Sequence, residues 1–262
     1  MSPCRICSLY SGSGGNSVYI RVGGKNILID AGKSARSLCR SLTLAGSDIK
    51  NIDAIFITHE HTDHIGALKV LCKKNDIPIH MTSPSADSLD PVTRASLGNR
   101  LVTHPPIYNV EIDGVSVSSF PASHDSACCV GYRIEFNGDD GLRHAIGYAT
   151  DTGCIGEAML SSLDGCESVI LESNHDEDML RFGPYPYSLK TRIASRFGHL
   201  SNGDCATLAS RLAAHGTKNI LLAHLSRENN TPDRALSTVR AAIPDDSVNI
   251  LIADPEEIVE LV

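Results

Sequence analysis

The chain has 262 residues, 42% apolar and 21% charged, with a formal net charge of −8. That length fits one large domain, 1–262, made of two intimately packed halves, and no run approaches the ~20 apolar residues that a membrane span requires. The acidic balance argues against broad, charge-driven nucleic-acid binding, though not against a local basic site.

Met1-Ser2-Pro3-Cys4-Arg5 lacks a basic segment followed by an apolar core, so nothing resembles a signal peptide. Nine cysteines without framework spacing suit reduced thiols, and a cytoplasmic location is expected. Cys4 and Cys7 form a CxxC inside the first expected strand. Their side chains then face opposite ways, as buried small hydrophobes would.

In chain order, strand-like runs fall at Ile6 to Tyr10, Val18 to Val22, Ile27 to Ile29 and Ala54 to Ile57. They continue at Val115 to Phe120, Val130 to Phe136, Ala145 to Ala149, Val169 to Leu171, Asn219 to Ala223 and Val248 to Ile252. Helical spacing fits Ala35 to Ala45, Ile65 to Lys74, Ser188 to Phe197, Asn202 to His215 and Pro232 to Ala242. Pro232 sits in a first turn behind Thr231 as N-cap. Asn137-Gly138-Asp139-Asp140-Gly141 reads as a hairpin turn, not a boundary. Strands interleaved with helices in both halves predict two αβ units stacked sheet to sheet with helices outside.

The densest chemistry lies at His59-Glu60-His61-Thr62-Asp63-His64, directly after a short buried strand and before helical spacing. His59 and His61 project the same way from extended backbone, while Asp63 and His64 enter a helical turn. Two pairs of ligands side by side suit two adjacent cations. Three further ligand-type residues each follow a strand: His124, Asp151 and His224. In layered αβ folds, strand ends converge on one cleft. Taken singly, each is more often a satisfied structural residue.

With these positions on the page, the sequence resembles the metallo-β-lactamase superfamily of hydrolases, through the HxHxDH pattern of His59, His61, Asp63 and His64 and the later ligands His124, Asp151 and His224. The segments Ser11 to Ser17, Leu28 to Gly32, Leu171 to Asp176 and His224 to Asn230 are together most similar to the YycJ/WalJ-type proteins, a family linked to DNA 5′-exonuclease activity. The resemblance implies an α/β fold, an αββα sandwich of two stacked mixed β-sheets with helices on the outer faces. It implies one cation on His59, His61 and His124, another on Asp63, His64 and His224, and Asp151 between them. Similarity to the ribonuclease Z branch adds Glu172 supporting His199, although Ser173-Asn174 follows the glutamate and Ser201 replaces a threonine. Neither a β-CASP insertion nor a tRNA-gripping arm is expected.

Two divalent cations lower the pKa of water and neutralise charge in an in-line displacement. Zinc suits the imidazoles, while the carboxylates also admit manganese or iron. Asp63 and Asp151 are the expected hydrogen-bond acceptors in catalysis, Glu172 the support of His199, and His199 the proton source for the leaving alkoxide. Substrate contacts are expected from Asn16 in the Gly12 to Ser17 loop, from Ser201, from Arg181, and from His175 at a terminal 5′-phosphate. The loop also makes sense as plain turn chemistry, and His175 as a helix cap.

Between Met179 and Gly203 there is no acidic residue, yet Arg181, Lys190, Arg192 and Arg196 mingle with Phe182, Tyr185, Tyr187 and Phe197. Such interleaving suits a single strand or a DNA 5′ end; the same residues also fit the solvated face of a core-packed helix. The leading expectation is a dinuclear phosphodiesterase acting as a 5′-to-3′ exonuclease on 5′-phosphorylated DNA. Hydrolysis of a small phosphodiester, such as a cyclic phosphate, or of a thioester or lactone is the alternative. A regulatory module with structural metals is the third; it would ordinarily use cysteine ligands, which these motifs lack.

Overall fold

The computed structural model describes residues 4–262. In the first part of the chain β1 (Arg5–Tyr10), β2 (Ser17–Val22), β3 (Lys25–Ile29), β4 (Ala54–Phe56), β5 (Ile79–Thr82) and β6 (Leu101–His104) line up in sequence order. A second sheet follows with β7 (Asn109–Ile112), β8 (Val115–Pro121), β9 (Val130–Asn137), β10 (Arg143–Ala149), β11 (Ser168–Glu172), β12 (Asn219–Ala223) and β13 (Asn249–Ile252). The chain then crosses back, and β14 (Val259–Glu260) pairs with β1 to complete the first sheet. Each sheet is mixed: β1 to β3 and β7 to β10 are antiparallel neighbours, whereas β3 to β6 and β10 to β13 are parallel.

The helices are α1 (Ala35–Leu44), α2 (Thr62–Ile65), α3 (Leu68–Leu71), α4 (Ser83–Asp87), α5 (Pro91–Leu97), α6 (Glu157–Leu163), α7 (Glu177–Phe182), α8 (Tyr187–Ile193), α9 (Asn202–Ala214) and α10 (Pro232–Ala242). Three apolar layers hold the sheets and helices together. Strand alternation sends Ile20, Ile29 and Phe56 of the first sheet against Val117, Ile134 and Ile170 of the second. The opposite faces pack Leu9, Leu28 and Ile55 under Leu38, Leu42 and Leu68, and Val169, Leu171 and Ile220 under Leu208, Leu212 and Val239. Each such fully buried aliphatic side chain contributes roughly 1.5–3 kcal/mol. The result is the expected αββα sandwich.

Cys4 packs toward the inter-sheet layer and Cys7 toward the outer one, on opposite faces as the period of two requires. Burial raises both thiols to about 11, and all nine cysteines are free. The turn between β9 and β10 has Gly141 at φ 77°, as a hairpin needs. No helix among the described residues is long and apolar enough to cross a membrane.

Two expected helices differ in extent. The spacing over Ile65 to Lys74 is split into α2 and α3, because Ala31 takes the backbone groups that would continue the helix. Its N–H donates to His64 O and its C=O accepts from Ala67 N, both at 2.8 Å. The helix expected to reach Phe197 stops at Ile193, and the chain turns back so that His199 N donates to Ile193 O at 3.0 Å. β5, β6, β7 and β14 lie outside the expected strands, because they are short and partly polar and carry little apolar periodicity.

Candidate metal centre

Parallel register brings the chemical residues to one edge of each sheet. Ile29 pairs with Phe56, so Asp30 and Thr58 leave the first sheet side by side. Ala149 pairs with Leu171 and Glu172 with Ala223, so Asp151, Glu172 and His224 leave the second sheet together. Asp30, Asp151 and His224 have φ of 63°, 55° and 58°. Left-handed backbone costs a non-glycine residue stability, and such residues concentrate where a side chain must be aimed.

His59, His61 and His124 offer ligand atoms within 4.8 Å of one another, and so do Asp63, His64 and His224. Asp151 lies against both sets. Its Oδ2 is 3.4 Å from His64 Nε2, and its Oδ1 is 3.5 Å from His224 Nε2 and 3.9 Å from His124 Nε2. Four imidazoles are anchored through Nδ1, which leaves Nε2 for the centre. His64 Nδ1 is 2.8 Å from Asp30 Oδ2, His224 Nδ1 is 2.9 Å from Glu172 Oε1, and His124 Nδ1 donates to Gly198 O at 3.2 Å. His59 Nδ1 reaches Thr58 Oγ1 at 3.0 Å, and that hydroxyl donates to Asp30 at 3.0 Å.

These residues fit a pair of divalent cations on structural grounds. His59 Nε2, His224 Nε2 and Asp151 Oδ2 are buried without hydrogen-bond partners, an arrangement that costs free energy unless something binds there. Outer carboxylates that fix imidazole orientation are the usual support of such ligands. Burial drives His59 well below the ordinary imidazole pKa, reinforced by His64. Burial opposes a proton on His224, but Asp151, Asp63 and Glu172 together push it up to about 10. Cation uptake therefore releases protons and weakens as pH falls. When bound, divalent cations here supply Lewis-acid activation of water and neutralise developing negative charge.

Glu172 is fully buried and serves two imidazoles at once. Its Oε1 lies 2.6 Å from His199 Nδ1 and 2.9 Å from His224 Nδ1, and its Oε2 accepts from Thr152 N at 2.9 Å. Burial opposes ionisation, but His199 and His224 hold the carboxyl below the ordinary range. His199 borders a cleft of about 220 Å³ with Ser13, Tyr185, Arg192, His224 and Ser226. With Nδ1 fixed on Glu172, its other nitrogen is available to a substrate in that cleft.

The substrate-contact candidates spread out. Asn16 is buried, and its Nδ2 donates to Asp63 Oδ2 at 3.2 Å, next to His64 Nε2. The loop around it is satisfied from within: Gly12 N donates to Asn16 Oδ1, Gly15 N to Gly12 O, and Asn16 N to Asp63 O. Those donors are thus spent on turn chemistry and on pinning α2, not held open as a phosphate cradle. Gly32 is part of the same contact, because a Cβ there would stand 1.9 Å from Asp63 O. Ser201 is buried and caps α9, accepting from Asp204 N at 3.1 Å. His175 is buried outside the cleft, and the cap of α7 is Asp176, not His175. Arg181 is exposed over the Phe182 ring and does not border the cleft; Tyr185 and Arg192 of the same stretch do.

Asp30 and Thr58 are the functional residues that residue-by-residue reading missed. The visible signal was an aspartate directly after a buried strand, in Leu28-Ile29-Asp30-Ala31-Gly32. The Leu171 to Asp176 and His224 to Asn230 segments prove to be one network. Asn174 Nδ2 donates to His224 O at 2.9 Å, and Asn230 Nδ2 donates to Ser173 O at 2.9 Å.

Residues 25–225 match the family model of the beta-lactamase superfamily domain. Exodeoxyribonuclease YycJ of Bacillus anthracis is 34% identical over 241 residues, covering 90% of this chain and 88% of that protein. Exodeoxyribonuclease WalJ of Streptococcus pneumoniae is 34% identical over 235 residues, covering 88% and 85%. Among solved structures, the metallo-beta-lactamase fold protein YhfI from Bacillus subtilis superposes with a TM-score of 0.73 at 17% identity, covering 99% of this chain and all of that one, and so shares the fold. The chain belongs to the beta-lactamase superfamily, among its YycJ/WalJ-type members, and is a metal-dependent hydrolase.

Proposed function

We propose that this hydrolase is a dinuclear phosphodiesterase that removes nucleotides in the 5′-to-3′ direction from 5′-phosphorylated DNA. The observation that carries this reading is the cleft in which Arg192 and Tyr185 border the same space as His199 and His224. A guanidinium and an aromatic ring beside a proton donor suit a phosphate followed by a base. The similarity to proteins named exodeoxyribonucleases supports DNA as the polymer. His59, His61 and His124 would hold one cation, and Asp63, His64 and His224 the other, with Asp151 shared. Zinc fits the imidazole-rich donor set best, and manganese or iron fits the carboxylates.

In this reading Arg192, whose Nε and one terminal nitrogen are held by Asp125, meets the phosphate through its remaining N–H groups. Tyr185 orients the terminal base, and His199, steadied by Glu172, donates a proton to the departing 3′ oxygen. Asp63 and Asp151 accept hydrogen bonds from the attacking water. The test is release of mononucleotides from single-stranded DNA carrying a 5′-phosphate, against the same strand with a 5′-hydroxyl, in the presence of Mn²⁺ or Zn²⁺. Preferential release from the phosphorylated strand, lost in Asp151→Ala, is expected. The modest volume of the cleft favours one competing reading, a small phosphodiester substrate; turnover of a cyclic nucleotide with no release from DNA would establish it instead.

A further inference from the structure

Residues 196–199 form a ridge between two cavities. Gly198 and His199 border the cleft described above, whereas Arg196 and Phe197 border a second cavity of about 440 Å³. The ridge is pinned to the centre, since Gly198 O accepts from His124 Nδ1 at 3.2 Å. It also admits no side chain at the buried Gly198, where a Cβ would stand 2.1 Å from Ile193 O. His124, Ser126, Cys128 and Cys154 are among the other residues lining the second cavity, and among the described residues Glu157 is the only carboxylate that borders it. Through that hydrogen bond His124, which borders the second cavity, is joined to Gly198, which borders the cleft.

A single exposed aromatic on a protein surface needs no explanation. Phe197 differs because of its company. It is 52% exposed and lines a cavity that His124 of the centre also borders. The Arg196 guanidinium lies 5.3 Å from its ring centroid. Among the described residues no carboxylate pairs with Arg196, whereas its neighbour Arg192 is bound to Asp125. A half-exposed ring under a guanidinium that no carboxylate holds matches an unstacked base followed by its phosphate. Inside a duplex the bases are already stacked on one another and leave no face for such a ring.

We propose that this second cavity holds the single-stranded nucleic-acid segment on the far side of the scissile phosphate, with a base stacked on Phe197 and its phosphate paired with Arg196. The proposal rests on the nuclease reading above, and it adds a polymer track crossing the centre at His124. The chain contains no tryptophan, so Phe197→Trp introduces a unique fluorophore at the stacking position. With the metal-loaded protein and a short 5′-phosphorylated thymidine oligonucleotide carrying phosphorothioate links to slow hydrolysis, the indole emission is expected to be quenched. Fluorescence anisotropy should show Phe197→Ala and Arg196→Ala each weakening binding about tenfold, with Phe197→Trp restoring it. Unchanged emission together with wild-type affinity in both alanine variants overturns the proposal, as does absence of binding by the wild type. Mononucleotide release from the unmodified strand is scored separately. Quenching without release removes the exonuclease reading and leaves the cavity in place; release without quenching does the reverse.

Discussion

Asp30 of the first sheet and Glu172 of the second are the same device put to different use. Each is a fully buried carboxylate at the end of a parallel strand, and each fixes imidazoles through Nδ1. Asp30 serves His64 directly and His59 through Thr58, and both imidazoles are fully buried. Glu172 serves His224, which faces the centre, and His199, whose side chain keeps 21% exposure and borders the cleft. One carboxylate therefore serves only imidazoles of the candidate ligand set, while the other serves one of that set and one that borders the cleft. A rigid carboxylate shared by both imidazoles couples the position of His224 to that of His199.

Asp151 belongs to both sides, and its removal should abolish the most. Asp151→Ala is expected to lose bound metal and to reduce hydrolysis to background, read by metal analysis and turnover on one sample. His199→Ala should lower kcat by about 10²–10⁴-fold with metal content unchanged. Loss of metal in that variant would place His199 among the ligands and erase the distinction between the halves. Next come the two anchors, each expected to cost about 10–100-fold. Asp30→Asn should act through metal affinity and recover when metal is added in excess. Glu172→Gln should remain slow at saturating metal, because His199 is loosened with His224. Equal rescue of both variants would break the comparison.

Two smaller effects probe the stability of each half. In the first, His80 is stacked on Phe56 at 4.7 Å and lies 2.9 Å from His104 Nε2 through its Nδ1. Burial, with His104 adding, lowers its pKa from 6.5 to about 4. The fold thus favours neutral His80, so this contribution is whole above pH 6.5 and is lost as pH falls through that value toward 4. It amounts to about 2 kcal/mol once solvent screening is allowed for, and denaturant unfolding of His80→Phe across that window should show a shallower decline than wild type. In the second half, Ser201→Ala removes the cap of α9 and should cost about 1 kcal/mol with little change in metal content. A much larger loss of turnover than of stability would give Ser201 a direct role at the substrate.

Long, periodic elements were legible without coordinates. The runs that became β2, β8, β9, β12, α9 and α10 alternate or repeat strongly enough to announce themselves. The hexapeptide His59 to His64 was legible for a different reason, since seldom do so many ligand types crowd one turn. Asp30 was not, because a lone aspartate after a strand looks like any loop residue until His64 is seen against it. His175 and Ser201 looked chemical in the chain and lie buried in scaffolding. The basic-aromatic stretch was visible as composition, but its division was hidden. Six of its cations and rings go to three places: Tyr185 and Arg192 to the cleft, Arg196 and Phe197 to the neighbouring cavity, and Arg181 and Phe182 to solvent.

The sequence by itself determined the layered αβ architecture and pointed to the candidate ligands that the fold gathers. Both depend on local quantities: the period of apolar residues along an element, and residue type at a strand end. Which imidazole stands beside which carboxylate was decided only in three dimensions. Glu172 meets His199 and His224 through the parallel register of β11 and β12 and a chain reversal after α8, contacts that span 27 and 52 residues. No local pattern encodes such a meeting, because it depends on how two sheets stack and on where one helix stops.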